Sequence, residues 1–371
     1  MIYLDNAATT RPLDKAVAEA ERYLKEEYFN PSALYSVGLK VKESEQNARK
    51  SILSRFPLGY DLIFTSCGSE ADNTAIFSFC KRGNAVTTYG EHSAVYECFN
   101  KLKNSGFDAR FAALNGDGSV NEEDLLSLVD EKTAFVSVVH VNNETGAVND
   151  IDGLAEKIKR KNPSVIFHSD GVQAFGKIPR KISDKIDLYS ISAHKINGVK
   201  GVGALVKKKN INITPLIYGG GQENGLRSGT ENVFGITSFG IATEECFKNI
   251  ESDYLRIGEI KEKFREILRV DGVRFIADKS SPYILSLSAV GLRGEVVQHM
   301  MEDFGVVIGT GSACSSRKRH SRILSCCGYD DKTLDGALRI SFSRFTTEEE
   351  AIFAAEKLKE CILKLKGVMK V

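Results

Sequence analysis

The chain has almost no net charge: 50 Lys and Arg stand against 49 Asp and Glu in 371 residues, leaving +1. Such a balance draws neither nucleic acid nor an anionic membrane to the surface, so small molecules or proteins are the expected partners. No uncharged apolar run approaches the roughly 18 residues needed to span a bilayer. The first residues, MIYLDNAATTRP, lack a basic leader followed by an apolar stretch. Both absences point to a soluble, cytoplasmic protein. Cysteines occur at 67, 80, 98, 246, 314, 326, 327 and 361 without paired C-x-x-C spacing. Free thiols are therefore expected rather than disulfides, and no metal.

With 42% hydrophobic residues the chain can bury a substantial core, and its length suits a large domain with a smaller companion. From Asp61 to Val206 short apolar runs alternate with longer amphipathic stretches: LIFT at 62–65, AVTTY at 85–89, AFVSVVHV at 134–141, VIFHSD at 165–170, DLYSIS at 187–192 and GVGALV at 201–206. This is an α/β pattern. Several runs are apolar at every position, which predicts a mainly parallel or mixed central sheet covered on both faces, with ligands at the strand ends. The segment from Thr230 to Arg269 has helical apolar spacing and no proline, predicting a long helix or a helix pair that leaves the sheet. Beyond it, YILSLSAV at 283–290, a helical GEVVQHMMEDFG, VVIG at 306–309, ALRISFS at 337–343 and a charged C-terminal helix make a compact α+β unit.

Chemistry concentrates at the predicted strand ends. Lys195 lies in SISAHKINGVKGVGALV, behind Ser192 and His194 and ahead of a glycine-rich turn. An amine over a pocket can form a Schiff base with an aldehyde cofactor once burial and positive neighbours lower its pKa. A solvated loop lysine is the plain alternative. Asp170 closes VIFHSD, with Gln173 in the following loop. That carboxylate can keep a pyridine nitrogen protonated, or it can cap the next helix. In FTSCGSEADN a strand runs through Gly68 and Ser69 into a helix. Free N–H groups, hydroxyls and the helix dipole suit that corner to phosphate, although ordinary N-caps look the same. His92 in TTYGEHSAV can stack on a flat ring, move a proton, or belong to the core. Asn143 in HVNNETG can donate to a phenolic oxygen or stabilise a turn.

Together these segments resemble the class V aminotransferase-like pyridoxal-phosphate enzymes, and within them the cysteine desulfurases of the NifS and IscS type. The likeness covers nearly the whole chain, through LDNAATT, FNPSALY, TSCGSEADN, EHSAV, HVNNETG, HSDGVQAFGK, SAHKINGVKGVGAL, GGGQENGLRSGTEN, GTGSAC and LRISFSRFTTEEE. It implies a PLP-dependent transferase fold of the aspartate aminotransferase type. The large domain, 14–250, would carry a mainly parallel sheet, and the small α+β domain would be built from 1–13 and 251–371.

The resemblance also assigns roles. Lys195 would carry pyridoxal phosphate, Asp170 pair with its pyridine nitrogen, His92 stack on its ring, and Gln173 and Asn143 address its phenolic oxygen. Gly68, Ser69, Ser192 and His194 would form the phosphate cup, completed by Thr230 from the second subunit of a homodimer. Arg339, in LRISFS, would clamp the substrate carboxylate through two hydrogen bonds, with Asn143 beside it. Cys314, in GTGSACSS, would attack the substrate sulfur, its thiolate favoured by Arg317, Lys318, Arg319 and His320. The implied reaction converts L-cysteine to L-alanine and leaves a persulfide on Cys314 for a sulfur-acceptor or iron–sulfur scaffold protein. Lys195 would take the alpha proton, while the near-neutral pKa of an ordinary histidine would suit His92 to proton transfer at sulfur.

The chain departs from the family pattern at Ser169 and Gly171, at Ser69 where threonine is common, and after Cys314, where RKRH replaces Leu-Glu-Pro-Ser in a shorter loop. Cys326 and Cys327 read as helix packing. Two other functions stay open on sequence alone. One is a related PLP lyase or aminotransferase, including a selenocysteine lyase; the other is a non-catalytic scaffold.

Overall fold

The computed structural model describes residues 1–277, 279–310 and 320–369. The main sheet has seven strands in the order Tyr60–Thr65, Gly203–Lys208, Leu188–Ser192, Ile166–Asp170, Thr133–Ser137, Asn84–Thr88 and Asp108–Ala112. Alternate side chains point to opposite faces, so Val86 and Val136 enter one apolar cluster while Ala85 and Phe135 enter another. Helices on both faces keep the central strands Leu188–Ser192 and Asn84–Thr88 buried at every position.

Gly203–Lys208 runs antiparallel to both of its neighbours, and the other neighbouring pairs are parallel. The reversal has a geometric cause. Between Ser192 and Gly203 the chain makes only the short 3-10 turn Ala193–Lys195 and a glycine-containing loop. A parallel return would need a longer crossover. Lys195 is thereby held at the C-terminal edge of the parallel strands.

The AFVSVVHV run is strand only over Thr133–Ser137. Val138 to Val141 continue as buried loop, with the N–H groups of Val138 and His140 donating to the carbonyls of His168 and Asp170. The segment after Thr230 forms two helices, Val233–Lys248 and Ile250–Ile267, broken at Asn249. Asn232 caps the first, its side chain accepting from the Gly235 N–H at 3.0 Å.

A separate core gathers Leu4 with side chains from Ile257 to Ile362. Ile284–Ala289 is the middle strand of an antiparallel trio with Ala337–Ser341 and Val273–Phe275. Ile2–Leu4 pairs in parallel with Val306–Ile308. The N-terminal segment therefore crosses from this core to the strand ends of the main sheet. Among the described residues no helix is long and apolar enough to cross a membrane.

Candidate active site

Six of the seven strands of the main sheet point the same way, and the loops at their C-terminal ends surround a cavity of about 280 Å³. The wall includes Gly68, His92, Asn143, Asp170, Gln173, Ser192, His194, Lys195 and Arg339. Nine residues singled out in the sequence therefore meet at one place, the crevice where α/β sheets bind ligands. Ser69 also lines it, at the start of the helix Gly68–Phe79.

Lys195 and Gln173 converge on the N-terminal segment. Lys195 Nζ donates to the carbonyls of Ala7 and Ala8 at 2.6 and 2.8 Å, and Gln173 Nε2 donates to the same Ala7 oxygen at 2.7 Å. Asp170 is 4% exposed and accepts from the Val172 N–H at 2.9 Å. Burial raises its pKa, opposed by the nearby His92 and Lys195. A cation placed against this carboxyl would oppose that shift and favour its ionised form.

His92 is the N-cap of the helix Ser93–Asn104, its Nδ1 accepting from the Ala94 N–H at 3.2 Å. That bond places the ring proton on Nε2. Burial lowers the pKa of His92 below its ordinary value, so the ring is neutral at pH 7, less basic than the sequence suggests. His194, whose Nδ1 lies 3.1 Å from Thr9 Oγ1, is likewise held down to about 4 by burial.

The residues fit pyridoxal phosphate. Ser192 Oγ and Asn143 Oδ1 are buried in the wall without a partner among the described residues, the kind of group a ligand satisfies. Beside Ser192 the helix Gly68–Phe79 presents its first N–H groups, and a Cβ on Gly68 would stand 2.8 Å from Val172 Cγ2. Only glycine keeps that corner open to a phosphate. Asp170, His92 and Lys195 add the acid, the flat ring and the amine that the cofactor requires. Thr230 is exposed and does not line the cavity of its own chain.

Arg339 is 3% exposed and already engaged: Nη1 donates to the Asn143 carbonyl and Nη2 to Asp5 Oδ1, both at 2.8 Å. Its Nε has no partner among the described residues. A carboxylate docking here meets a guanidinium whose plane is fixed from behind.

Sequence reasoning passed over five charged residues of this region. Glu91, beside His92, is fully buried, and Glu144, beside Asn143, has its pKa raised by burial. Asp72 and Arg322 complete the wall. Arg322 donates to the carbonyls of Tyr89 and Glu91 and lies over the Tyr96 ring at 3.6 Å. Lys177 lies behind Gln173. Glu91, Glu144 and Lys177 fall inside the motifs EHSAV, HVNNETG and HSDGVQAFGK, where their placement was visible but their burial was not.

Cys314, Arg317, Lys318 and Arg319 lie outside the described residues. His320 is paired with Asp335 at 2.8 Å. Cys326 ends the short helix Arg322–Cys326 and is exposed, whereas Cys327 is partly buried with its thiol pushed up to about 12 by burial. No cluster of His, Cys, Asp or Glu among the described residues could hold a metal ion.

Residues 2–352 match the family described as aminotransferase class-V. The protein named cysteine desulfurase IscS from Dictyoglomus turgidum is 36% identical over 99% of this chain and 96% of its own length. A solved NifS-like protein superposes with a TM-score of 0.91 at 33% identity, covering 98% of this chain and 99% of the other. A NifS-like protein from Rickettsia africae gives 0.88 at 28% identity over the full length of both.

Proposed function

From the aminotransferase class-V family, to which this chain belongs, we infer that it is a pyridoxal-phosphate-dependent cysteine desulfurase. The observation that carries this reading is the cavity itself. An amine, a buried carboxyl, a neutral imidazole and a fixed guanidinium face one another across it, with hydroxyl and amide oxygens in the wall that have no partner among the described residues. The net change is L-cysteine plus the Cys314 thiol giving L-alanine plus the Cys314 persulfide, with sulfur the only atom that changes owner.

Lys195, Asp170, Gln173, His92, Asn143, Gly68, Ser69, Ser192 and His194 would hold the cofactor, with Thr230 supplied by a second copy of the chain. When bound, pyridoxal phosphate supplies an electron sink for the substrate's alpha carbon. Arg339 binds the substrate carboxylate, and Asp5 and the Asn143 carbonyl keep the guanidinium from turning away. Lys195 Nζ takes the alpha proton and later returns it at the alanine methyl or alpha carbon. His92 lines the same cavity, and its Nε2–H can donate toward the substrate sulfur. Cys314 is the nucleophile this reading requires, and the Arg317–Arg319 run favours its thiolate.

The division into 14–250 against 1–13 with 251–371 is part of the same proposal. The separate apolar core of Leu4 and residues 257–362 supports it. A cytoplasmic homodimer serving a sulfur-acceptor or iron–sulfur scaffold protein completes the reading. Its test is product analysis. Holoprotein given L-cysteine and a thiol reductant should release alanine and sulfide in equal amounts, and Cys314→Ser should stop both while the cofactor stays bound. Alanine release that survives Cys314→Ser would overturn the assignment in favour of a lyase.

A further inference from the structure

Lys177 has no part in the chemistry above, yet it is 7% exposed and sits four residues after Gln173 in the turns that follow the strand Ile166–Asp170. Its Nζ lies 3.0 Å from Gln173 Oε1. The titratable and charged groups that reach it are Lys195, Arg339 and Cys246, two of them cations. A buried ammonium with no carboxylate among the described residues beside it is costly, and an apolar side chain of the same length would fill the space without that cost.

The geometry shows what the cost achieves. An amide side chain can be turned either way round, and here both of its ends are constrained. In its ammonium form Lys177 offers only N–H donors to Oε1, and the Ala7 carbonyl accepts from Nε2 at 2.7 Å. Reversed, Gln173 would set its carbonyl against the Ala7 oxygen and its NH2 against the ammonium. In the orientation held, one N–H of Nε2 remains beyond the bond to Ala7, on a side chain that lines the cavity. The Ala7 oxygen is also where Lys195 Nζ rests, at 2.6 Å.

Resting on the function proposed above, we propose that Lys177 is a positioning residue: it holds the Gln173 amide with an N–H turned to the cofactor's phenolic oxygen and adds positive potential at Lys195 Nζ. Burial and the neighbouring charges hold Lys177 itself down to about 7. A cation near Lys195 makes protonation of that nitrogen harder, so removing the cation makes it easier.

The test is the pH titration of the visible absorbance of bound pyridoxal phosphate, which reports protonation at the Lys195 nitrogen. Wild type, Lys177→Met, Lys177→Gln and Lys177→Arg are compared, with thermal melts to check folding. The midpoint should rise by about one unit in Lys177→Met and stay near wild type in Lys177→Arg. Lys177→Gln, which keeps a donor for Gln173 but no charge, should fall between them. A Lys177→Met protein that folds but loses the cofactor, rescued by Arg, also supports the proposal. Cofactor lost equally in the folded Met and Arg variants, or a Met midpoint within about 0.2 units of wild type, overturns it. Wild-type protein with no visible band would instead overturn the functional reading on which it rests.

Discussion

The ring of Tyr189 occupies the space where residue 171 would carry a side chain: a Cβ built on Gly171 would stand 1.9 Å from Tyr189 Cζ. The ring is held in place, because its hydroxyl lies 2.8 Å from His140 Nδ1 and its edge meets Phe56. Gly171 departs from the family pattern, and this packing accounts for the departure. Gly171→Ala should cost about 1–3 kcal/mol, the range for overpacking a filled interior. Chemical denaturation measures it, and adding Tyr189→Leu should recover part of the loss. A Gly171→Ala protein as stable as wild type would contradict this packing.

Arg339 and Asp5 bring the two ends of the chain together at 2.8 Å. If Asp5 serves to aim the guanidinium, Asp5→Ala should raise KM for L-cysteine by about tenfold, with a smaller change in kcat. Arg339→Lys, which loses the planar fork, should lower kcat/KM by about 100-fold. Steady-state kinetics of the holoenzyme decide both. A loss confined to kcat in Asp5→Ala would argue against a carboxylate clamp.

His92 has two duties that one pair of variants can separate. Asn is a good N-cap and Ala is not. His92→Asn should therefore melt close to wild type while losing at least about 100-fold in desulfuration, the scale of one acid–base group. His92→Ala should lose both activity and about 1 kcal/mol of stability. An active His92→Asn protein would remove the imidazole from the chemistry.

Glu91 links this site to pH. Its Oε1 accepts from the Val139 N–H and Thr88 Oγ1, both at 2.9 Å, but Oε2 has no partner among the described residues, and burial pushes its pKa up from 4.5 to about 8. The folded chain keeps this proton where the unfolded chain releases it. The resulting stabilisation is fully present below about 4.5 and is lost as the pH rises through about 8. Melting of the apoprotein should thus fall across that window, and Glu91→Gln should flatten the fall. An equally steep decline in the variant would place its cause elsewhere.

Much of this was legible in the sequence because the fold puts its chemistry at strand ends. Asp170, Ser192 and His92 each follow an apolar run whose register could be read directly, and the cavity joins them as expected. Three features were not legible. The short N-terminal strand Ile2–Leu4 is made by pairing with Val306–Ile308, a contact that no local pattern encodes. The edge strand Asp108–Ala112 is too mixed in burial to stand out. The charged residues Glu91, Glu144 and Lys177 drew no notice in the sequence because charge is usually found at surfaces, and only the packed structure shows Glu91 and Lys177 buried and Glu144 half-buried.

The central claim is that sulfur from cysteine passes to Cys314 in a protein whose Lys195 carries pyridoxal phosphate. The most direct measurement is the mass of the Cys314 peptide after the yellow holoprotein meets L-cysteine without reductant. The account predicts a gain of one sulfur atom on that peptide, absent in Lys195→Ala, which should also lose the visible band. A yellow protein that consumes cysteine and leaves Cys314 unmodified would contradict it.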